Sequence, residues 1–172
     1  MTTQGKPPVI WLWKNGLVGS YKWGTETGGS GNVKTATTTN GKLYVYVEKT
    51  STSGVSGLYA KCQIYTGSTS TAGVSIDVRR YTQIHVMVSD FSRYHMYDSD
   101  WADVVVNSGL ADECHVDLRG PSEGNDGPTG EAVGDITNVS TLSKLWVWTT
   151  NMNKSGATAA VLELGVTQIW LE

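Results

Sequence analysis

In residues 144–150, Lys-Leu-Trp-Val-Trp-Thr-Thr, aliphatic and aromatic side chains alternate one for one. Successive side chains of a strand point to opposite faces, so Leu145 and Val147 share one face and Trp146 and Trp148 the other. The same alternation runs through 42–48, where Leu43, Val45 and Val47 oppose Tyr44 and Tyr46. It recurs in 57–65, where Leu58, Ala60, Cys62 and Ile64 oppose Tyr59, Lys61, Gln63 and Tyr65, and in 83–89, where Ile84, Val86 and Val88 oppose His85. Further strands are predicted at 9–14, 17–23, 32–39, 74–78, 104–107, 113–118, 158–164 and 166–171. In the last of these Ile169 and Leu171 face inward and Trp170 outward.

The connections carry their own signals. Asn15-Gly16 and Asn40-Gly41 are two-residue hairpin turns, because both positions tolerate positive φ. The first predicts that 17–23 returns antiparallel on 9–14. Which parity of 9–14 faces the core stays open, since Ile10 and Leu12 compete with Trp11 and Trp13. Residues 24–31, 49–56 and 66–71 read as loops, 91–103 as irregular, and 119–134 as a long Gly/Pro/acidic loop. No helical period and no internal repeat appears. About ten short strands at regular spacing predict an antiparallel β-sandwich. One domain over 1–172, with residues 1–8 as an N-terminal arm, is the expected organisation.

Composition narrows the function. The chain has 172 residues, 13 Lys and Arg against 16 Asp and Glu, a net charge of −3 and only 17% charged residues. The basic residues are scattered, whereas nucleic-acid binding needs a basic stripe, so no nucleic-acid partner is expected. No apolar run is long enough for a membrane helix. Residues 1–8 contain no apolar signal region, and the expectation is a chain made in a cytoplasm. Weak charging suits a chain packed into an assembly. Cys62 and Cys114 both fall on the aliphatic parity and read as buried free thiols rather than a disulfide.

The run Val74-Ser75-Ile76-Asp77-Val78-Arg79-Arg80-Tyr81-Thr82-Gln83-Ile84-His85-Val86, with the ending Val166-Thr167-Gln168-Ile169-Trp170-Leu171-Glu172, resembles galactose-binding-like jelly rolls. The resemblance covers the chain from about residue 32 onward and rests on strand patterning. It implies an all-β, antiparallel β-sandwich of jelly-roll type. Such folds serve as carbohydrate-binding modules and as bacteriophage tail, baseplate and capsid accessory proteins. No ligand-binding residue carries over from it.

Nine aromatic residues, Trp11, Trp13, Tyr44, Tyr46, Tyr59, Tyr65, Trp146, Trp148 and Trp170, sit opposite the aliphatic parity. Such rings bind sugars or protein partners. Trp11, Trp13, Tyr44, Tyr46, Trp146 and Trp148 are the candidate contact residues. Because the set spans several strands, protein contact is favoured over glycan binding. The leading expectation is a non-enzymatic bacteriophage virion protein, a capsid decoration or a tail or neck component, made in the host cytoplasm. It would work in many copies or as a homo-oligomer against other virion proteins. The alternative is a carbohydrate-binding module in which Trp and Tyr stack on a glycan. Asp98, Asp100 and Asp103 bring three carboxylates into one loop that could hold calcium, although the spacing is not that of an EF-hand; no other cofactor is expected. His85, His95 and His115 lack metal-ligand spacing and read as surface or edge histidines. Glu48, Asp77, Asp117 and Glu163 lie on strands, and a carboxylate pair for glycoside hydrolysis ranks below both binding readings.

Overall fold

The computed structural model describes residues 5–29, 33–50, 57–94, 101–118, 129–150 and 160–172, the side chains of Arg93, Tyr94, Trp101 and Asp117 excepted. Two antiparallel sheets pack face to face. Sheet A holds β1 (Ile10–Lys14), β3 (Val33–Thr37), β4 (Leu43–Lys49), β7 (Gln83–Tyr94), β10 (Gly130–Asp135) and β13 (Ala160–Leu171). Sheet B holds β2 (Lys22–Gly28), β5 (Tyr59–Tyr65), β8 (Trp101–Val106), β9 (Cys114–Asp117) and β12 (Leu145–Thr150). A small ribbon pairs β6 (Ile76–Asp77) with β11 (Thr141–Leu142). The order is β10-β7-β13-β4-β3 in sheet A and β2-β5-β12-β8-β9 in sheet B. The chain changes sheet at most of its connections, β8 to β9 being an in-sheet step.

The aliphatic parity read from the sequence is the core. Leu43, Val45 and Val47 from β4, Ala60, Cys62 and Ile64 from β5, and Leu145 and Val147 from β12 have at most 1% of their surface exposed. β13 runs through the middle of sheet A. One side pairs with β7; the other pairs with β4 over Ala160–Val166 and then with β1 over Gln168–Leu171. The β3–β4 hairpin forms as predicted, with Asn40 at φ 56° and Gly41 at φ 71°.

Several sequence expectations are corrected. Asn15 (φ 51°) and Gly16 (φ 145°) do turn the chain, but β1 pairs with β13, and the next strand, β2, joins β5 in the other sheet. A register shift between Trp11 and Trp13 breaks the alternation, so Leu12 and Trp13 are both buried. Residues 22–28, read mostly as loop, form β2. β7 continues to Tyr94 and β8 begins at Trp101, inside the stretch read as irregular. The long 119–134 loop ends in strand β10. Residues 158–164 and 166–171 are not two strands: β13 is continuous, with register shifts around Gly165–Gln168 that flip its parity. Both cysteines are free, Cys62 buried and Cys114 half-buried. Burial pushes the Cys62 thiol up to about 12.

Candidate functional site

The outward positions of sheet B form a face centred on β12. Cross-strand register sets its rows. Glu26, Lys61, Trp148 and Asp103 make one row, and Gly24, Gln63, Trp146, Val105 and His115 the next. Trp146 and Trp148, two residues apart and half-buried, meet edge to face with ring centroids 5.8 Å apart at 77°. Such a geometry suits the ring quadrupole. The Lys61 ammonium lies 4.1 Å from the Trp146 ring centre, within cation–π range, and 3.0 Å from the Glu26 carboxylate. Tyr59 donates its hydroxyl to the same carboxylate. That hydrogen bond, with a second from Lys61, holds the Glu26 carboxyl below its ordinary range. Among the described residues no cation covers Trp148.

Glycines on β2 make room for this face. A Cβ on Gly28 would collide with the Tyr59 ring, and one on Gly24 would sit 2.6 Å from the Ser70 Cβ. The short 3-10 turn Ser70–Ala72 can therefore pack over β2 and β5. Between that turn and Trp146 lies a cleft of about 180 Å³ lined by polar groups of Glu26, Lys61, Gln63, Ser70 and Thr71. On the far side of the face, His115 Nδ1 lies 2.8 Å from Asp103 and Nε2 lies 3.0 Å from Glu113. At the base of the sheet the Asn107 side chain bonds the backbone amides of Ser143 and Lys144 just ahead of β12.

The candidate contact residues do not share one surface. Trp146 and Trp148 lie on sheet B, whereas Tyr44, Tyr46 and Trp11 lie outside sheet A on the opposite side of the sandwich. Trp13 is removed from the set: it is 1% exposed, packs edge-on against Trp23 at 6.1 Å and donates Nε1–H to Gly41 O. Tyr44 and Tyr46 donate their hydroxyls to Glu163 and Glu48, each at 2.8 Å. Those carboxylates, read earlier as one possible catalytic set with Asp77 and Asp117, are thus engaged by tyrosines. Trp11 packs against Trp170 with ring centroids 5.2 Å apart and planes tilted by 38°, and Trp170 stacks on His85 at 4.9 Å; His85 Nδ1 in turn lies 2.6 Å from Glu131. His85 is therefore not a surface histidine but 8% exposed.

For the calcium expectation, Asp98 and Asp100 lie outside the described residues, as does His95. Asp103 has no exposed surface and lies 2.8 Å from the His115 ring. Among the described residues no group of three His, Cys, Asp or Glu could hold a metal ion. Sequence reasoning missed Glu26, Lys61, Gln63 and the Asp103–His115 pair as members of one face. The outward parity of Lys61, Gln63 and His115 was legible, whereas Glu26 and Asp103 fell in stretches read as loop or irregular, and the adjacency of all five depends on strand order.

Comparison with family models, with curated proteins and with solved structures gave no match.

Proposed function

We propose that the chain is a non-catalytic, carbohydrate-binding jelly roll of galactose-binding-like type, with the outer face of sheet B as its binding surface. Strand order supports the fold reading. Taking β4, β5, β7, β8, β9, β10, β12 and β13 as eight successive strands gives sheets ordered 1-8-3-6 and 2-7-4-5, the two interleaved Greek keys of a jelly roll, with β3 and β2 added at the edges. The observation that carries the function is the Trp146–Trp148 pair flanked by Lys61, Glu26 and Gln63. Indole rings stack on the apolar faces of sugar rings, and adjacent donors and acceptors read the hydroxyls. The aromatics divide between two opposite faces, and that favours a local glycan platform over one continuous protein-binding surface.

Hydrogen bonds from Tyr59 to Glu26, Arg79 to Asp77, Gly109 to Glu113 and Thr137 to Asp135 hold each of these carboxyls low. Polysaccharide binding by the purified protein, reduced at least tenfold in Trp148→Ala with the fold intact, is the expected result. Absence of binding to every polysaccharide tried, with unchanged Trp fluorescence, would remove the reading.

A second reading draws on the half-buried Trp11 and Trp170 on sheet A, and on the 17% charged composition. In it the chain is a bacteriophage virion component, in a capsid, tail or neck, that buries this surface against copies of itself or neighbouring proteins. Its mass in solution and with virion proteins tests it: a monomer that joins no assembly excludes it.

A further inference from the structure

We propose, resting on the glycan reading above, that the cleft beside Trp146 is an end-binding subsite: it takes one neutral sugar residue, the terminal one of a chain, and Gln63 reads its hydroxyls. Gln63 is only 7% exposed and lines the cleft, yet among the described residues nothing hydrogen-bonds its carboxamide. A buried amide without a partner costs stability, and a bound hydroxyl supplies the partner. The carboxamide offers N–H donors and a carbonyl acceptor, a combination that neighbouring sugar hydroxyls match.

The walls are pre-formed. Residues 66–73 are closed by Thr66 N–H donating to Gly73 O at 2.9 Å and tied to the β11–β12 connection by Val74 N–H donating to Ser143 O at 3.0 Å. Gly73 sits at φ 66°, where a Cβ would lie 2.5 Å from Ser143 O, and the missing Cβ of Gly24 lets Ser70 close in over β2. Rigid walls reduce the ordering cost of binding. At about 180 Å³ the cleft is smaller than the pockets of about 300–1,000 Å³ that hold drug-sized ligands, so it suits one sugar ring rather than several.

Its place on the face sets the direction of the chain. Cross-strand register puts Gly24, Gln63 and Trp146 in one row and Glu26, Lys61 and Trp148 in the next. Ser70 approaches Gly24 beside the Tyr65 ring, and Lys144 precedes Trp146, so both stand on the side away from Trp148. A chain lying over Trp148 therefore stops in the cleft. The two tryptophan planes stand at 77°, and the Lys61 ammonium covers Trp146 at 4.1 Å, so the rings do not lie flat under one straight chain. Charge selects a neutral ligand. Lys61 is held by Glu26 at 3.0 Å and Lys144 donates to Ser108 O at 3.1 Å, which leaves the half-exposed Glu26 carboxylate to meet an incoming group. That carboxylate accepts from a hydroxyl and repels an acidic sugar.

The test titrates the full chain with neutral glucan, mannan and galactan chains, short and long, read by tryptophan fluorescence and calorimetry. End binding saturates at a fixed number of protein molecules per chain whatever the chain length. The free hexose of the bound chain should compete, and the matching uronic acid should not. Gln63→Met keeps the volume, loses the amide's hydrogen bonds and should weaken binding about tenfold. Capacity that grows with chain length, a uronic acid that competes as well as the hexose, or unchanged affinity in a folded Gln63→Met would overturn the proposal while the glycan reading stands. Absence of binding to every chain tried would remove both. Capacity and competition are measured on the unsubstituted protein, so they remain decisive if Gln63→Met does not fold.

Discussion

Asn107 joins the fold to the candidate site, and its replacement should be costly. The residue is 1% exposed and sits at φ 54°. Its Nδ2 donates to Asp112 at 3.0 Å and to Thr141 O at 2.9 Å, and its Oδ1 accepts from Ser143 N at 2.8 Å and Lys144 N at 3.2 Å. Asn107→Ala deletes all four bonds, each worth about 1 kcal/mol net. It also puts a less tolerant residue in the left-handed region, at about 1 kcal/mol more. The sum is about 4–5 kcal/mol, a large share of a typical domain's stability of about 5–15 kcal/mol. For a chain of this length that is a fall in melting temperature of roughly 8–20 °C, readable by circular dichroism. Asn107→Gly keeps the backbone conformation while losing the same side-chain bonds, so it should retain about 1 kcal/mol over the alanine variant. Because Lys144 leads directly into Leu145 and Trp146, both variants should also shift the tryptophan emission. A cost below about 1 kcal/mol for Asn107→Ala would refute the hydrogen-bond argument, and equal stabilities for the two variants would refute the conformational one.

Lys49 ends β4 on its core face with no exposed surface, and its Nζ has no hydrogen-bond partner among the described residues. Lys49→Met should raise stability by about 1–3 kcal/mol in urea denaturation, and a loss would show that the ammonium is satisfied. Burial, and then the Glu48 carboxylate, push the Tyr46 hydroxyl up to about 12, and burial and Glu163 raise Tyr44 as well. Stability held by these neutral tyrosines is complete below about 10 and lost as the pH climbs towards 12, so ultraviolet titration should show phenolates appearing together with unfolding. Gly28→Ala forces Tyr59 off Glu26 and should cost about 1–3 kcal/mol, measured by thermal melting, with a quiet substitution placing the Tyr59 ring elsewhere.

Central strands were legible because they are buried on one face and covered with rings or polar groups on the other. The alternation at 42–48, 57–65 and 144–150 gave both the element and its parity. Edge strands were not: β2, Lys-Trp-Gly-Thr-Glu-Thr-Gly, buries only Trp23 of its seven residues, and β10 buries only Gly134. Where the backbone shifts register the alternation misleads. At Trp11–Trp13 it concealed that Trp13 is core, and at Gly165–Gln168 it split one strand into two. Asn15-Gly16 shows the limit of turn chemistry, since the dihedrals are those expected but the next strand pairs in the other sheet. The two tryptophans of the candidate face could be read from parity alone. Lys61 beside Trp146, or His115 between Asp103 and Glu113, required knowledge of which strands are neighbours.

The place of β13 bears on how the molecule assembles. The most C-terminal strand is the central spine of sheet A, joining β7 on one side to β4 and β1 on the other. Until it docks, those three strands are held together by no backbone pairing with one another, and their apolar faces have no shared sheet. Pairing Trp11 with Trp170 closes a loop spanning most of the chain. Closing so long a loop loses entropy before any contact rewards it, and folding dominated by such pairings runs on the scale of about milliseconds to seconds. Sheet B, whose central pair β5–β12 forms without β13, is the natural early half, and the closing step is the insertion of a single twelve-residue strand into a waiting slot.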